Sequence, residues 1–222
     1  MSLQGTPEGF ASSVTRSNNT QNDLNASDFV AFDPNQERLR REAVQLGITY
    51  AFRRGEPDPP PGSGFNIRTA TVAAACASGD LKLAVSAKRY ISGLWDDIKK
   101  EPYTKLFNDG TSAAYLWNIV QLMAVVDGKL AGEADELEGR ERLIAVHGNR
   151  FILFRVFCLI DLEALKDSNF DLGSMKITCE KMAVEILNAI IPAINEKFPD
   201  AYPGNVFKNQ DRQAELLAAI SS

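Results

Sequence analysis

Apolar positions recur three and four residues apart over most of this chain, the spacing that lines one face of a helix. The clearest case is Leu116, Ile119, Val120, Met123 and Val126, in a long helix that Ser112 can cap. Helix punctuation repeats on either side of it. Asp33-Pro34-Asn35-Gln36 offers a cap, a proline at the first helical position and a glutamine placed for a capping box. It opens a helix over residues 35–46 that Gly47 terminates. Thr6-Pro7-Glu8 has the same form. Asn66 caps a helix of small residues that Gly79 closes, and Asp80 caps the next, which carries Leu81, Val85, Lys88 and Tyr90 towards Trp95. Pro102 starts a short helix ending near Asn108-Asp109-Gly110, and the acidic stretch 133–141 contains or flanks an exposed turn.

In the second half, His147-Gly148-Asn149 interrupts the apolar pattern. The expectation is that Gly148 ends one helix and Asn149 caps another, running to about Leu165; the alternative is one continuous helix with a tolerated glycine. Ser174 is the expected cap of a further helix that Pro192 kinks or ends. Residues 199–204 read as a turn and residues 209–220 as a last amphipathic helix. Two stretches depart from this pattern. Ile48-Thr49-Tyr50-Ala51-Phe52 is alternating and β-branched or aromatic, which suits one short strand. Residues 56–64 hold four prolines and form a stiff surface loop. The fold class is therefore all-α with at most one short strand near residues 48–52. The expected division is an N-terminal segment and loop over 1–64, followed by a helical domain over 65–222. No repeat of solenoid period is present.

Composition narrows the functional classes. A chain of 222 residues with 45% hydrophobic residues supports one sizeable domain, or a compact domain with a small appendage. A net charge of −5 argues against a wholly basic nucleic-acid binder but leaves room for a local basic stripe. No apolar run approaches the roughly 20 residues that cross a bilayer, and the start lacks the basic end and apolar stretch of a secretion signal. Cys76, Cys158 and Cys179 sit among apolar neighbours without zinc-type spacing. An odd set of scattered thiols suits a reducing cytoplasm, each acting as a small buried hydrophobe.

The densest polar stretch is Arg16-Ser17-Asn18-Asn19-Thr20-Gln21-Asn22. Each carboxamide has donor and acceptor capacity that burial would leave to be satisfied, so the stretch caps, turns or faces a partner. With Val14-Thr15 before it and Asp28-Phe29 and Asp33-Pro34 after it, this stretch resembles the bacterial abortive infection phage resistance (AIPR) family. Tyr50-Ala51-Phe52-Arg53-Arg54-Gly55-Glu56 and Arg140-Glu141-Arg142-Leu143-Ile144-Ala145-Val146-His147-Gly148-Asn149-Arg150-Phe151 carry the resemblance further, over nearly the whole chain. Family members are longer at the N-terminus, with an α/β region and a short Asn-Gly-x-Gln-type motif. Met1-Ser2-Leu3 looks vector-encoded, so the resemblance implies the C-terminal part of a larger anti-phage protein, whose first partner is its own missing N-terminal region.

The residues themselves offer little catalysis. His147 is the one histidine, and it lacks a positioned partner or a metal-spaced acid in the sequence. Gly62-Ser63-Gly64 lacks the strand, the lysine and the following Ser/Thr of a phosphate loop. No catalytic residue, cofactor or metal is read from the chain, and it is expected to show no hydrolase or nuclease activity by itself. Arginine and asparagine do suit phosphate and base contacts. The candidate surface is Arg16, Asn18, Asn19, Gln21, Asn22, Arg53 and Arg54, joined by His147, Asn149 and Arg150. Two functions follow: a nucleic-acid-associated module, or a helical interaction or dimerisation module supported by Trp95, Tyr103, Phe107, Tyr115 and Trp117. Convergence of Arg16, Arg53, Arg54 and Arg150 favours the first; pairing of each with a carboxylate favours the second. Residues 18–22 and 147–150 are expected to share one side of the fold.

Overall fold

A computed structural model describes residues 30–220. Nine α-helices make up most of it among the described residues, with one pair of short strands. The order is α1 (Pro34–Gln45), β1 (Thr49–Ala51), β2 (Gly64–Asn66), α2 (Ile67–Ala77), α3 (Leu81–Arg89), a 3-10 turn (Ile91–Leu94), α4 (Tyr103–Leu106), α5 (Ala113–Asp135), α6 (Gly139–Phe157), a second 3-10 turn (Ala164–Lys166), α7 (Leu172–Lys197), α8 (Pro203–Val206) and α9 (Gln210–Ile220).

Local caps set most of these starts. The side chains of Asp33, Asn66, Asp80 and Ser112 each accept a hydrogen bond from a backbone N–H in the first turn that follows. Gly47 and Gly79 follow the ends of α1 and α2 with φ of 71° and 70°, a conformation that costs glycine nothing. Gln36 does not join a capping box as its spacing predicts. Its side chain is fully buried and donates to the Tyr103 hydroxyl (2.7 Å), while Tyr50 donates to its carbonyl oxygen. Tyr103 in turn donates to Asp33 (2.5 Å), so one polar chain ties α1, β1 and α4 together. Every member finds a partner, which is what lets it lie inside an apolar core.

The expected strand forms as β1, and a second strand, β2, pairs with it in parallel through Thr49–Gly64, Tyr50–Phe65 and Ala51–Asn66. The proline-rich residues 52–63 supply the connection of about a dozen residues that a parallel pair requires. Gly64 is dictated by contact: a Cβ there would lie 2.0 Å from the Thr49 carbonyl oxygen.

Helix α5 is the central element and packs against α2, α6 and α7, with α1 and β2 also against it. The core is one cluster that includes Leu39, Tyr50 and Phe52 from before residue 64 as well as Leu116, Ile144, Phe151 and Ile190 from after it. Helix α3 lies against α2 and α6, and α9 packs on α7 and α3.

Two expectations are corrected by tertiary packing, and of the two outcomes expected at Pro192 the ending of the helix does not occur. Helix α6 runs unbroken through His147-Gly148-Asn149, the alternative of a tolerated glycine. Gly148 is there because Phe207 and Ile190 press on it; a Cβ would stand 3.0 Å from Phe207 Cζ and 3.3 Å from Ile190 Cδ1. Helix α7 starts at Leu172 rather than after Ser174, capped by Asp171, whose carboxylate accepts from the Gly173 amide (2.9 Å). The earlier start buries Leu172. Pro192 lies inside α7 without ending it. Its missing N–H removes one backbone bond, and burial of Ile190 and Ile194 on either side holds the helix together. Cys76 and Cys179 are buried as expected, but Cys158 is exposed, because α6 ends one residue before it.

Candidate functional site

The candidate residues Arg16, Asn18, Asn19, Gln21 and Asn22 lie outside the described residues, and with them the expected neighbourhood of residues 18–22 and 147–150. Arg53 follows β1 and is ion-paired with Glu37 of α1. Beside it Arg40 pairs with Glu56 at 2.5 Å, and the guanidinium carbons of Arg40 and Arg53 stand 4.3 and 5.6 Å from the Phe52 ring centre. Glu56 also accepts from the backbone amides of Phe52 and Arg53, both at 2.9 Å. This set fastens α1 to the loop that holds Arg53 and Arg54. Arg38 ties α1 to the segment before α5 in a similar way, pairing with Glu42 (2.6 Å) and donating to the carbonyls of Asn108 and Thr111. Arg140 donates to Asn195 (2.9 Å) and to the Phe198 carbonyl (2.6 Å), which ties α6 to the end of α7.

The second group, His147, Asn149 and Arg150, does come together on α6 with residues of other elements. Arg150 is paired with Asp127 of α5 at 3.0 Å, and Asn149 donates to the same carboxylate at 3.3 Å. Lys88 of α3 donates to the Asn149 oxygen at 3.0 Å. His147 shares a 2.8 Å hydrogen bond with the Tyr202 hydroxyl and meets that ring edge-on, 5.3 Å between centres. Helical continuity through Gly148 is what aligns these neighbours, so the close packing of Phe207 on that glycine helps place the cluster.

Positive charge accumulates here faster than Asp127 can balance it. The Lys88 ammonium is held below its ordinary pKa, first by burial and then by the Arg150 charge. His147 is likewise pushed down by burial, with Lys88 and Lys208 adding repulsion. Arg150 Nη1 is buried and has no hydrogen-bond partner among the described residues. Cys76, beneath the cluster, points its thiol at the Arg150 carbonyl (3.7 Å) and is pushed up to about 12 by burial, which removes thiolate chemistry.

Lys208 connects this cluster to a recess of about 840 Å³ between α3, residues 90–105 and the start of α9. Lys82 and Arg89 of α3 line it together with Lys208, and none of the three makes an ion pair among the described residues. Lys105 lines it too but is held by Asp80 at 2.8 Å; Glu101 and Asp211 are the other acids on its wall. Tyr90 stands in the recess with 61% of its surface exposed. Its ring rests on Gly93, where a Cβ would come within 2.8 Å of Tyr90 Cδ1.

The sequence pattern gives Lys82, Arg89 and Lys208 no role and places Tyr90 only on a helix. The seven-residue interval between Lys82 and Arg89 was visible and places both near one helical face. Lys208 is brought in only by the fold. Among the described residues no group of three or more His, Cys, Asp or Glu side chains could hold a metal ion. No described helix is long and apolar enough to cross a membrane. Comparisons of the chain with family models, with curated proteins and with solved structures find no match.

Proposed function

We propose that this chain is the helical, C-terminal part of a bacterial abortive-infection protein and that it contacts nucleic acid through the recess beside α3. The anti-phage role rests on the resemblance carried by residues 14–22, 50–56 and 140–151. The observation that carries the nucleic-acid role is the recess itself, where Lys82, Arg89 and Lys208 stand around an exposed tyrosine without an ion-pair partner among the described residues. Unpaired cations in a concave site neutralise phosphates and release their counterions. The chain as a whole carries a net charge of −5, so the surface outside the recess repels polyanions and binding is confined to this face.

Three phosphate contacts set a modest salt dependence, log K against log salt falling with a slope of about −2 to −3. Fluorescence anisotropy with a labelled oligonucleotide tests the reading. Reversing the three charges (Lys82→Glu, Arg89→Glu, Lys208→Glu) should abolish binding and flatten the slope while leaving the helical circular dichroism intact. Absence of binding by the unaltered chain at about 50 mM salt, where such contacts are strongest, removes the proposal.

A second reading, a helical module that docks a partner region or a second copy, is favoured by two observations. Arg53 and Arg150 are each spoken for by a carboxylate. Val44 and Leu46 at the end of α1 are exposed, at 69% and 39%. Of the aromatic residues expected to support this reading, Trp95, Tyr103 and Phe107 are buried in the core, while Tyr115 and Trp117 are half-buried. Sedimentation of the chain over a range of concentrations separates the readings, since self-association without oligonucleotide binding supports only the second.

A further inference from the structure

We propose that the recess takes a single strand rather than a duplex, with phosphates on Lys82, Arg89 and Lys208 and one base stacked on Tyr90; this rests on the nucleic-acid reading above. The argument starts from the tyrosine. Its ring lies against Gly93 and is otherwise largely exposed, inside a concave site. An aromatic ring so placed offers a surface for a flat partner. In a duplex every base face is covered by its neighbours, so the ring would go unused. In a single strand a base can turn out of the chain and lie against it.

The acids on the wall point the same way. Glu101 and Asp211 share the recess with the three cations. Carboxylates repel the phosphates that a duplex presents all along its surface. They accept hydrogen bonds from exocyclic amino groups on the edges of unpaired bases, as carboxylates do with the cytosine amino group. A wall that mixes cations with acids therefore suits a ligand whose phosphates and base edges are both free. Asp80 takes no part, because Lys105 and the backbone amide of Lys82 already occupy it.

The experiment compares mixed-sequence oligonucleotides about twelve nucleotides long, within the span that such grooves cover. Single-stranded DNA, single-stranded RNA and the DNA duplex are titrated against the whole chain by fluorescence anisotropy. A single strand, DNA or RNA, should bind about tenfold or more tightly than the duplex. Tyr90→Ala should reduce that preference about tenfold, the scale of one lost base–ring stack, and Tyr90→Phe should restore it. Gly93→Ala, which drives a methyl into the ring, should lower the preference without altering any charge. Equal or tighter binding of the duplex overturns the inference while leaving the nucleic-acid reading standing, as does a preference that Tyr90→Ala leaves intact. Binding of neither form overturns both.

Discussion

Gln36 shows how a single side chain can be given its role from far away. Its amide joins Tyr50 and Tyr103, while Tyr103 donates onward to Asp33, so removing one hydroxyl strands groups at both ends. Tyr103→Phe should therefore cost about 1–3 kcal/mol, the penalty for leaving buried polar groups unmade. Urea unfolding reads this directly, and a loss under about 0.5 kcal/mol would mean that water replaces the phenol. The spacing of Asp33 and Gln36 legibly suggested a capping box, because that signature is local. The true partners lie 14 and 67 residues away and leave no mark near Gln36. The exposure of Cys158 has a related origin: apolar neighbours report average burial, not which side of a helix end a residue occupies. His147 gives a second test at this scale. Burial first, then Lys88 and Lys208, hold its folded pKa below the unfolded value near 6.5. The unfolded chain then binds the proton more readily. This contribution to stability is complete above about pH 6.5 and is lost as pH falls through the lower, folded pKa. Comparing melting temperatures of the unaltered chain and His147→Gln between about pH 5 and 8 should show the gap narrowing in acid. A parallel pair of curves would contradict it.

At the level of elements, caps were legible and packing was not. Asp33, Asn66, Asp80 and Ser112 act within a turn of their own positions, so the sequence alone places four helix starts. The Gly148 break was expected because glycine and asparagine usually end helices, yet α6 continues through them. The decisive contacts come from Phe207 and Ile190, which no window around residue 148 contains. Strand β2 escaped notice because Gly64-Phe65-Asn66 is too short to alternate and gains its identity only by pairing with β1. Glycines within helices consequently divide into two kinds. Gly128 and Gly132 on α5 have open space where a Cβ would go. Gly128→Ala and Gly132→Ala should each stabilise the fold by about 0.5–1 kcal/mol. Gly148→Ala gains the same helical preference but meets Phe207, and overpacking of this kind costs about 1–3 kcal/mol. It should destabilise. Thermal unfolding of the three variants side by side decides the matter, and stabilisation by Gly148→Ala would show that Phe207 yields freely.

For the whole molecule, the all-α class was readable from periodicity and punctuation, whereas the candidate site was readable only in part. His147, Asn149 and Arg150 do assemble with residues from α3, α5 and the segment before α8. Arg53 instead serves as a fastening between elements. The difference is one of supply: Glu37 and Glu56 lie beside the N-terminal arginines, while the recess gathers Lys82, Arg89 and Lys208 with too few carboxylates to pair them all. Charge counted along the sequence hides this, since cations from α3 and from position 208 meet only in the folded chain. The most direct test of the account is ultraviolet cross-linking of the chain to a photoreactive oligonucleotide, with the attached peptides identified by mass spectrometry. Cross-links should fall within residues 81–106 and 208–211, with Tyr90 foremost. Cross-links concentrated instead at Arg53 and Arg54, or spread evenly over the surface, would contradict it.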